Sequence, residues 1–248
     1  MRQALKDLLV AFQFLTRLPL PQLDYDPASL SRSLKFFPLV GLVIGLLGAW
    51  FERLLAPHLS RPLAAFLVLL LFVLVTGALH EDGLADTVDG FGGGRNREQM
   101  LAIMHDSRIG SFGASALVLF LIARLLLLSA LPVNRFTAFV VSAQVLSRWT
   151  ALPLSYILRP ARTENGQGAR IAQKISGVSM VAGTLLTLLI VFYVMHARFW
   201  IPIVLVLIVT VLSGLYYFRR LGGITGDCFG ATNQLAEIAV YFCGVWIA

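Results

Sequence analysis

Apolar residues gather into seven runs along the chain, near 36–55, 62–79, 111–131, 136–158, 178–197, 199–217 and 228–247. Each approaches the roughly 20 residues that a helix needs to cross a bilayer core. An earlier stretch, Leu5–Leu18, is shorter and amphipathic, and predicts a helix lying in the membrane interface. Pro19 and Pro21 end it, because proline cannot continue a helix. The expected fold is all-α: a polytopic membrane protein of about seven transmembrane helices, preceded by the short interfacial helix. No internal repeat or low-complexity linker divides the chain, so residues 1–248 read as a single membrane domain.

Composition agrees. The chain is 58% hydrophobic and 13% charged, whereas soluble domains are about 25% charged. A water-soluble surface cannot be built from so few charges. Cys228 and Cys243 match no metal-ligand spacing and no disulfide framework. The N-terminus, with Arg2, Lys6, Asp7 and Arg17, lacks the features of a signal peptide.

The net charge of +7 is informative by position. With seven spans and a cytoplasmic N-terminus, fourteen of the twenty Lys and Arg fall inside, among them Arg32, Lys35, Arg95, Arg97, Arg159, Arg162, Arg170, Lys174, Arg219 and Arg220. Four fall outside (Arg53, Arg61, Arg135 and Arg198), and Arg124 and Arg148 lie within spans. The positive-inside rule therefore predicts a cytoplasmic N-terminus and an outside C-terminus; for the cell inner membrane expected of this chain, that outside is the periplasm. The charge is topological and implies no nucleic-acid partner.

Acidic residues are distributed differently. Six of thirteen, Glu81, Asp82, Asp86, Asp89, Glu98 and Asp106, crowd into 80–110, a cytoplasmic connection in this topology. Asp82, Asp86 and Asp89 stand at i, i+4 and i+7 and share one helical face. Stacked carboxylates need a cation among them or must take up protons. Magnesium is the natural cation, since it prefers oxygen ligands and bridges carboxylates to phosphates. Gly90–Gly94 predict a turn where backbone approaches a ligand, with Gly92 and Gly93 as candidate substrate contacts. The bland reading is a solvated acidic loop.

Further candidates follow. Asp106 is a potential fourth carboxylate, and Arg108 with the amides of the next helix suits a phosphate. A helix cap and a positive-inside anchor explain the same pair. An intramembrane Arg148 is costly and needs a partner, with the acidic cluster one candidate. Arg124, in a leucine-rich setting, ranks lower, and Gln144 reads as a helix–helix hydrogen bond. A second motif, Gly222–Glu237, places Thr225, Asp227, Asn233 and Glu237 along the start of the last span. Small-residue packing explains its glycines but not its polar residues together.

These motifs carry a family resemblance over most of the chain. Phe14–Pro19, Phe37–Gly41, the Glu81-x-Asp-Gly-x-x-Asp-x-x-Asp-Gly run, Asp106–Gly110, Ser147-Arg148 and Gly222–Ala231 resemble the adenosylcobinamide-GDP ribazoletransferase (cobalamin 5'-phosphate synthase) family. The resemblance implies transfer of phosphocobinamide from adenosylcobinamide-GDP to the ribose 3'-hydroxyl of α-ribazole or its 5'-phosphate, with release of GMP and magnesium as cofactor. On that reading Glu81, Asp82, Asp86 and Asp89 are metal ligands. Asp89, Asp106, Arg148 and Asp227 are catalytic candidates. Arg108, Gly92, Gly93, Thr225, Asn233 and Glu237 are candidate substrate contacts. The implied partners are the two substrates, the lipid bilayer, and either a second copy or other enzymes of lower-loop assembly. Asp86-x-x-Asp89-Gly90 also partly resembles CDP-alcohol phosphotransferases. An ion-coupled transporter is the other rival, though its charges belong at the midplane and its halves repeat.

Overall fold

The computed structural model describes residues 2–21, 27–161, 175–196 and 200–247. Among these the chain is helical, with one isolated parallel bridge between Pro160 and Ile224. Arg162, Arg170, Lys174 and Arg198, which entered the topology argument, lie outside the described residues.

The N-terminal helix α1 (Arg2–Leu15) buries Val10, Ala11 and Leu15. Asp7 is buried on the same helix and accepts from Arg32 Nε at 3.3 Å and Lys35 Nζ at 3.2 Å. Those partners belong to α2 (Pro27–Ser33) and to the single 3-10 turn that leads into α3 (Phe37–Leu55). The amphipathic pattern thus docks α1 on the body of the protein through its apolar stripe and one paired carboxylate.

Helix α4 (Arg61–Thr76) starts with proline in its first turn, where a missing N–H costs nothing. It ends at a sharp corner. Gly77 and Ala78 both take left-handed conformations, with φ of 63° and 57°. The chain then turns 86° into α5 (Leu79–Gly93). After α6 (Arg97–His105), α7 (Ser111–Ala130) leads to α8 (Phe136–Trp149) and α9 (Ala151–Ile157). The last three helices are α10 (Gly177–Met195), α11 (Trp200–Leu221) and α12 (Gly226–Trp246).

Four helical runs are long and apolar enough to cross a membrane: Ala28–Leu55, α7, α10 and α11. The bent α4–α5 pair raises this to five when counted as one broken span. Exposed Leu119, Leu189 and Leu212 give α7, α10 and α11 outward apolar faces suited to lipid. The two other expected spans differ for physical reasons. The run at 136–158 is two helices, because Pro153 cannot donate to the carbonyl of Trp149 four residues back. Helix α12 is long enough, but Asn233, Gln234 and Glu237 lower its apolar content.

Close helix packing relies on glycine. Gly41 and Gly45 of α3 press against the backbone of α8 at Gln144 and Val141. Helix α12 packs most extensively on α5 and α8, and α5 also packs on α6 and α7. Residues 80–93, expected in an extramembrane connection, are therefore part of the helical body.

Candidate active site

Helix α5 carries the acidic run, and its first turn places Glu81 and Asp82 where the helix dipole favours negative charge. Successive residues step about 100° around a helix. Glu81 therefore faces the interior and is buried, while Asp82 is exposed and Asp86, one turn on, is half-buried. Helix α12 crosses α5 at this level. A Cβ on Gly83 would stand 2.9 Å from the carbonyl oxygen of Asp227 and 3.2 Å from the Cα of Gly230. Glycine at both positions lets the two backbones touch, and this seats the Asp227 backbone on α5 at Gly83, next to Asp82.

The geometry of α12 explains its start. Thr225 caps it, its Oγ1 accepting the Cys228 N–H at 3.4 Å. Thr225 is buried in that role, and Asp227 follows in the first turn. Gly222, with φ of 68°, closes α11, and Arg97 binds the last carbonyl of that helix, Leu221, at 2.7 Å. The second guanidinium contact of Arg97, to the Ala161 carbonyl at 2.7 Å, fastens the segment paired with Ile224.

Asp89 shares the helical face of Asp82 and Asp86, as the spacing predicts, but α7 covers that last turn. Its Oδ2 accepts from Gly110 N at 2.7 Å and its Oδ1 from Gly113 N at 2.8 Å. Gly110, the residue that caps α7, has no side chain, so Asp89 supplies the cap from another helix. The expected glycine turn is also helical: α5 runs through Gly92 and Gly93 and ends at Gly94. The rings and side chains of Phe112, Ile103 and Met100 pack where Cβ atoms of these glycines would stand. Gly92 and Gly93 are exposed at this end of the helix.

Behind the carboxylate face lies a buried polar network. Arg124 of α7 donates from Nη1 to Glu81 Oε1 at 2.5 Å and from Nη2 to Glu237 Oε1 at 2.9 Å. Gln234 Nε2 also donates to Glu81 Oε1, at 3.2 Å. The structure thus places Glu81 and Glu237 on Arg124 and not with Asp82. Arg148 is buried on α8 and donates from Nη1 to Gln144 Oε1 at 2.6 Å, while Gln144 donates to the Tyr241 hydroxyl at 3.2 Å. Gln144 is indeed a helix–helix link. Asn233 is buried on the same stretch of α12.

At the entrance to α7, Arg108 donates to both carboxylate oxygens of Asp106, at 2.6 Å from Nη2 to Oδ2 and 3.0 Å from Nε to Oδ1. This contact holds the Asp106 carboxyl down, to about 2, and the pair is exposed. Arg108 projects into solvent while paired to its own neighbour.

The α5–α12 crossing seats the Asp227 backbone against Gly83, the residue after Asp82 and one turn before Asp86. Asp89, Glu81 and Glu237 support it with contacts to other helices, and Thr225 caps α12 itself. Among the described residues no group of three His, Cys, Asp or Glu side chains could hold a metal ion. Hard carboxylate oxygens still suit magnesium, which commonly takes one or two of them and leaves its other positions to water and phosphate. Arg124 joins Glu81 and Glu237 directly, a role its leucine-rich sequence setting does not suggest. Its signal was an arginine at membrane depth with a glutamate in the last span, a pair that needs each other.

Comparison with known proteins shows the family. The family model for cobalamin-5-phosphate synthase matches residues 7–245. An adenosylcobinamide-GDP ribazoletransferase of Vibrio cholerae is 36% identical over 97% of this chain and 94% of its own. Enzymes of the same name from Prosthecochloris aestuarii and Sinorhizobium medicae are 37% and 39% identical, each covering 96% of this chain and 96% and 95% of their own. No solved structure matches the chain. The protein is a helical membrane transferase and belongs to the cobalamin-5-phosphate synthase family.

Proposed function

We propose that this chain transfers the phosphocobinamide group of adenosylcobinamide-GDP to the ribose 3'-hydroxyl of α-ribazole or its 5'-phosphate. A bond forms between the 3'-oxygen and the phosphorus carried by the aminopropanol arm. The bond from that phosphorus to the bridging oxygen of the pyrophosphate breaks, GMP leaves, and the hydroxyl proton passes to base or water. Family membership supports the reaction. The observation that supports the site is the glycine contact of α5 and α12, which seats the Asp227 backbone against Gly83, next to Asp82.

On this reading Asp82 and Asp86 hold magnesium, with Asp227 contributing from across the crossing. When bound, magnesium neutralises pyrophosphate oxygens and steadies the leaving GMP. The chain's own residues orient the phosphates and keep water from the phosphorus, since such transfers depend mainly on positioning and charge. Arg108 is placed to exchange Asp106 for a substrate phosphate. Arg148 is a second cation for charge developing deeper in the site. The surface side of the carboxylate face, next to Gly92 and Gly93, admits the acceptor.

The finer topology belongs to the same reading. Helices α3, α4 with α5, α7, α8 with α9, α10, α11 and α12 make seven crossings, with the N-terminus and the site on the cytoplasmic side of the inner membrane. The positive-inside count supports it. A second copy or a neighbouring enzyme of lower-loop assembly would pass intermediates across the same surface.

The test is GMP release by protein purified into lipid, with magnesium, adenosylcobinamide-GDP and α-ribazole 5'-phosphate. Release that requires all three is the expected result. Release that ignores the acceptor would mean hydrolysis instead of transfer, and no release would remove the assignment.

A further inference from the structure

We propose that Arg124 is a positioning residue that fixes the register of α5 against α12 and so sets the spacing of Asp82 and Asp86 from Asp227. The inference rests on the reading of those carboxylates as a divalent-cation site.

Three observations carry it. First, the α5–α12 crossing is glycine on glycine, with Gly83 and Gly230 in contact. Such a contact allows close approach, but it offers no side-chain knob to resist sliding or rotation. Second, one guanidinium ties three helices beside that contact. Arg124 is 2% exposed and donates to Glu81 of α5 and Glu237 of α12, while Gln234 of α12 shares Glu81 Oε1. The planar fork fixes directions as well as distances, which a lysine ammonium does not. Third, Glu81 immediately precedes Asp82. Any rotation of α5 that releases Glu81 swings Asp82 through the same angle.

The cost of the arrangement points the same way. A buried ion triad gains little net stability over apolar packing, because desolvation offsets the attraction. Glu81 Oε2 is moreover buried without a hydrogen-bond partner. An arrangement that contributes little to stability is better understood as specifying geometry. Arg124 touches no reacting atom, so it acts through Glu81 and Glu237.

The experiment uses full-length protein in lipid nanodiscs and the variants Arg124→Lys, Glu237→Gln, and a triple variant Arg124→Met/Glu81→Gln/Glu237→Gln. The triple variant removes the guanidinium together with both carboxylates it binds, if a single variant fails to fold. Three quantities are read: Mn2+ binding by electron paramagnetic resonance without substrates, the magnesium dependence of GMP release, and the split between kcat and KM for adenosylcobinamide-GDP. Folded variants are expected to bind Mn2+ more weakly and to need more magnesium. Their kcat should fall roughly 10- to 100-fold, the scale of a small misplacement, with KM little changed. Wild-type Mn2+ binding and magnesium dependence in a folded Arg124→Lys or triple variant would overturn the proposal. Asp82→Asn is the control for the underlying reading. If Asp82→Asn binds Mn2+ like wild type, the cation site itself fails and this proposal with it.

Discussion

Asp89 caps a helix that is not its own: its Oδ1 accepts the Gly113 N–H at 2.8 Å, and its Oδ2 takes Gly110 at 2.7 Å. A Cβ on either glycine would collide with the Asp89 carboxylate. The carboxylate and both glycines form one device that joins α5 to the start of α7. Asp89→Ala is expected to lower stability by about 1–2 kcal/mol, the size of a lost N-cap, read as thermal unfolding in lipid. Gly113→Ala should do the same by expelling the carboxylate. An Asp89→Ala protein as stable as wild type would show that the cap contributes nothing.

The α5–α12 contact gives a second prediction. The atoms facing Gly83 are backbone atoms of Asp227 and Gly230, which cannot turn aside. Gly83→Val should therefore push the helices apart, with a destabilisation of about 1–3 kcal/mol and loss of GMP release. Gly177→Ala is the control, because among the described residues its added Cβ would meet only the Tyr156 hydroxyl, at 3.9 Å. Equal activity in the two variants would remove the crossing from the account.

The corner before α5 stores strain. Ala78 sits at φ 57°, a left-handed conformation that costs an L-residue roughly 1–2 kcal/mol. Ala78→Gly should raise the unfolding temperature slightly, since glycine's greater chain entropy offsets part of the relief. Gly77→Ala should lower it, because φ is 63° and the Arg17 side chain fills the space a Cβ would take. A drop in stability for Ala78→Gly would contradict the assigned conformation.

Asp106 gives a prediction in pH. Its pairing with Arg108 lowers the carboxyl to about 2. A depressed folded-state value means the contribution is complete above the ordinary carboxylate range and is lost as pH falls toward 2. Asp106 is therefore charged and weakly basic throughout any neutral assay. Asp106→Asn should leave the acidic limb of the pH–rate profile where it was. A shifted limb would make Asp106 the general base.

The seven helical positions were legible because apolar runs of membrane length have few alternatives. The Asp82–Asp86 ridge was legible from its spacing, and the small residues of α12 from their density. What escaped depends on distant partners. Arg124 meets Glu81 across 43 residues and Glu237 across 113. No local pattern reveals that Glu81 faces inward to Arg124 while Asp82 beside it faces out. The role of Asp89 was hidden for the same reason, because its partners are backbone amides of a helix that begins 22 residues later. The corner at Ala78 had no signal, since alanine ordinarily favours the helix it interrupts.

On the proposed function, carboxylates at the α5–α12 crossing carry the transfer. The most direct measurement compares magnesium-dependent GMP release by wild-type protein with Asp82→Asn and Asp86→Asn, each verified as folded in lipid. The account predicts that each variant loses roughly 100-fold or more of kcat, the scale of losing a transition-state electrostatic contact. Wild-type turnover in either folded variant would contradict it.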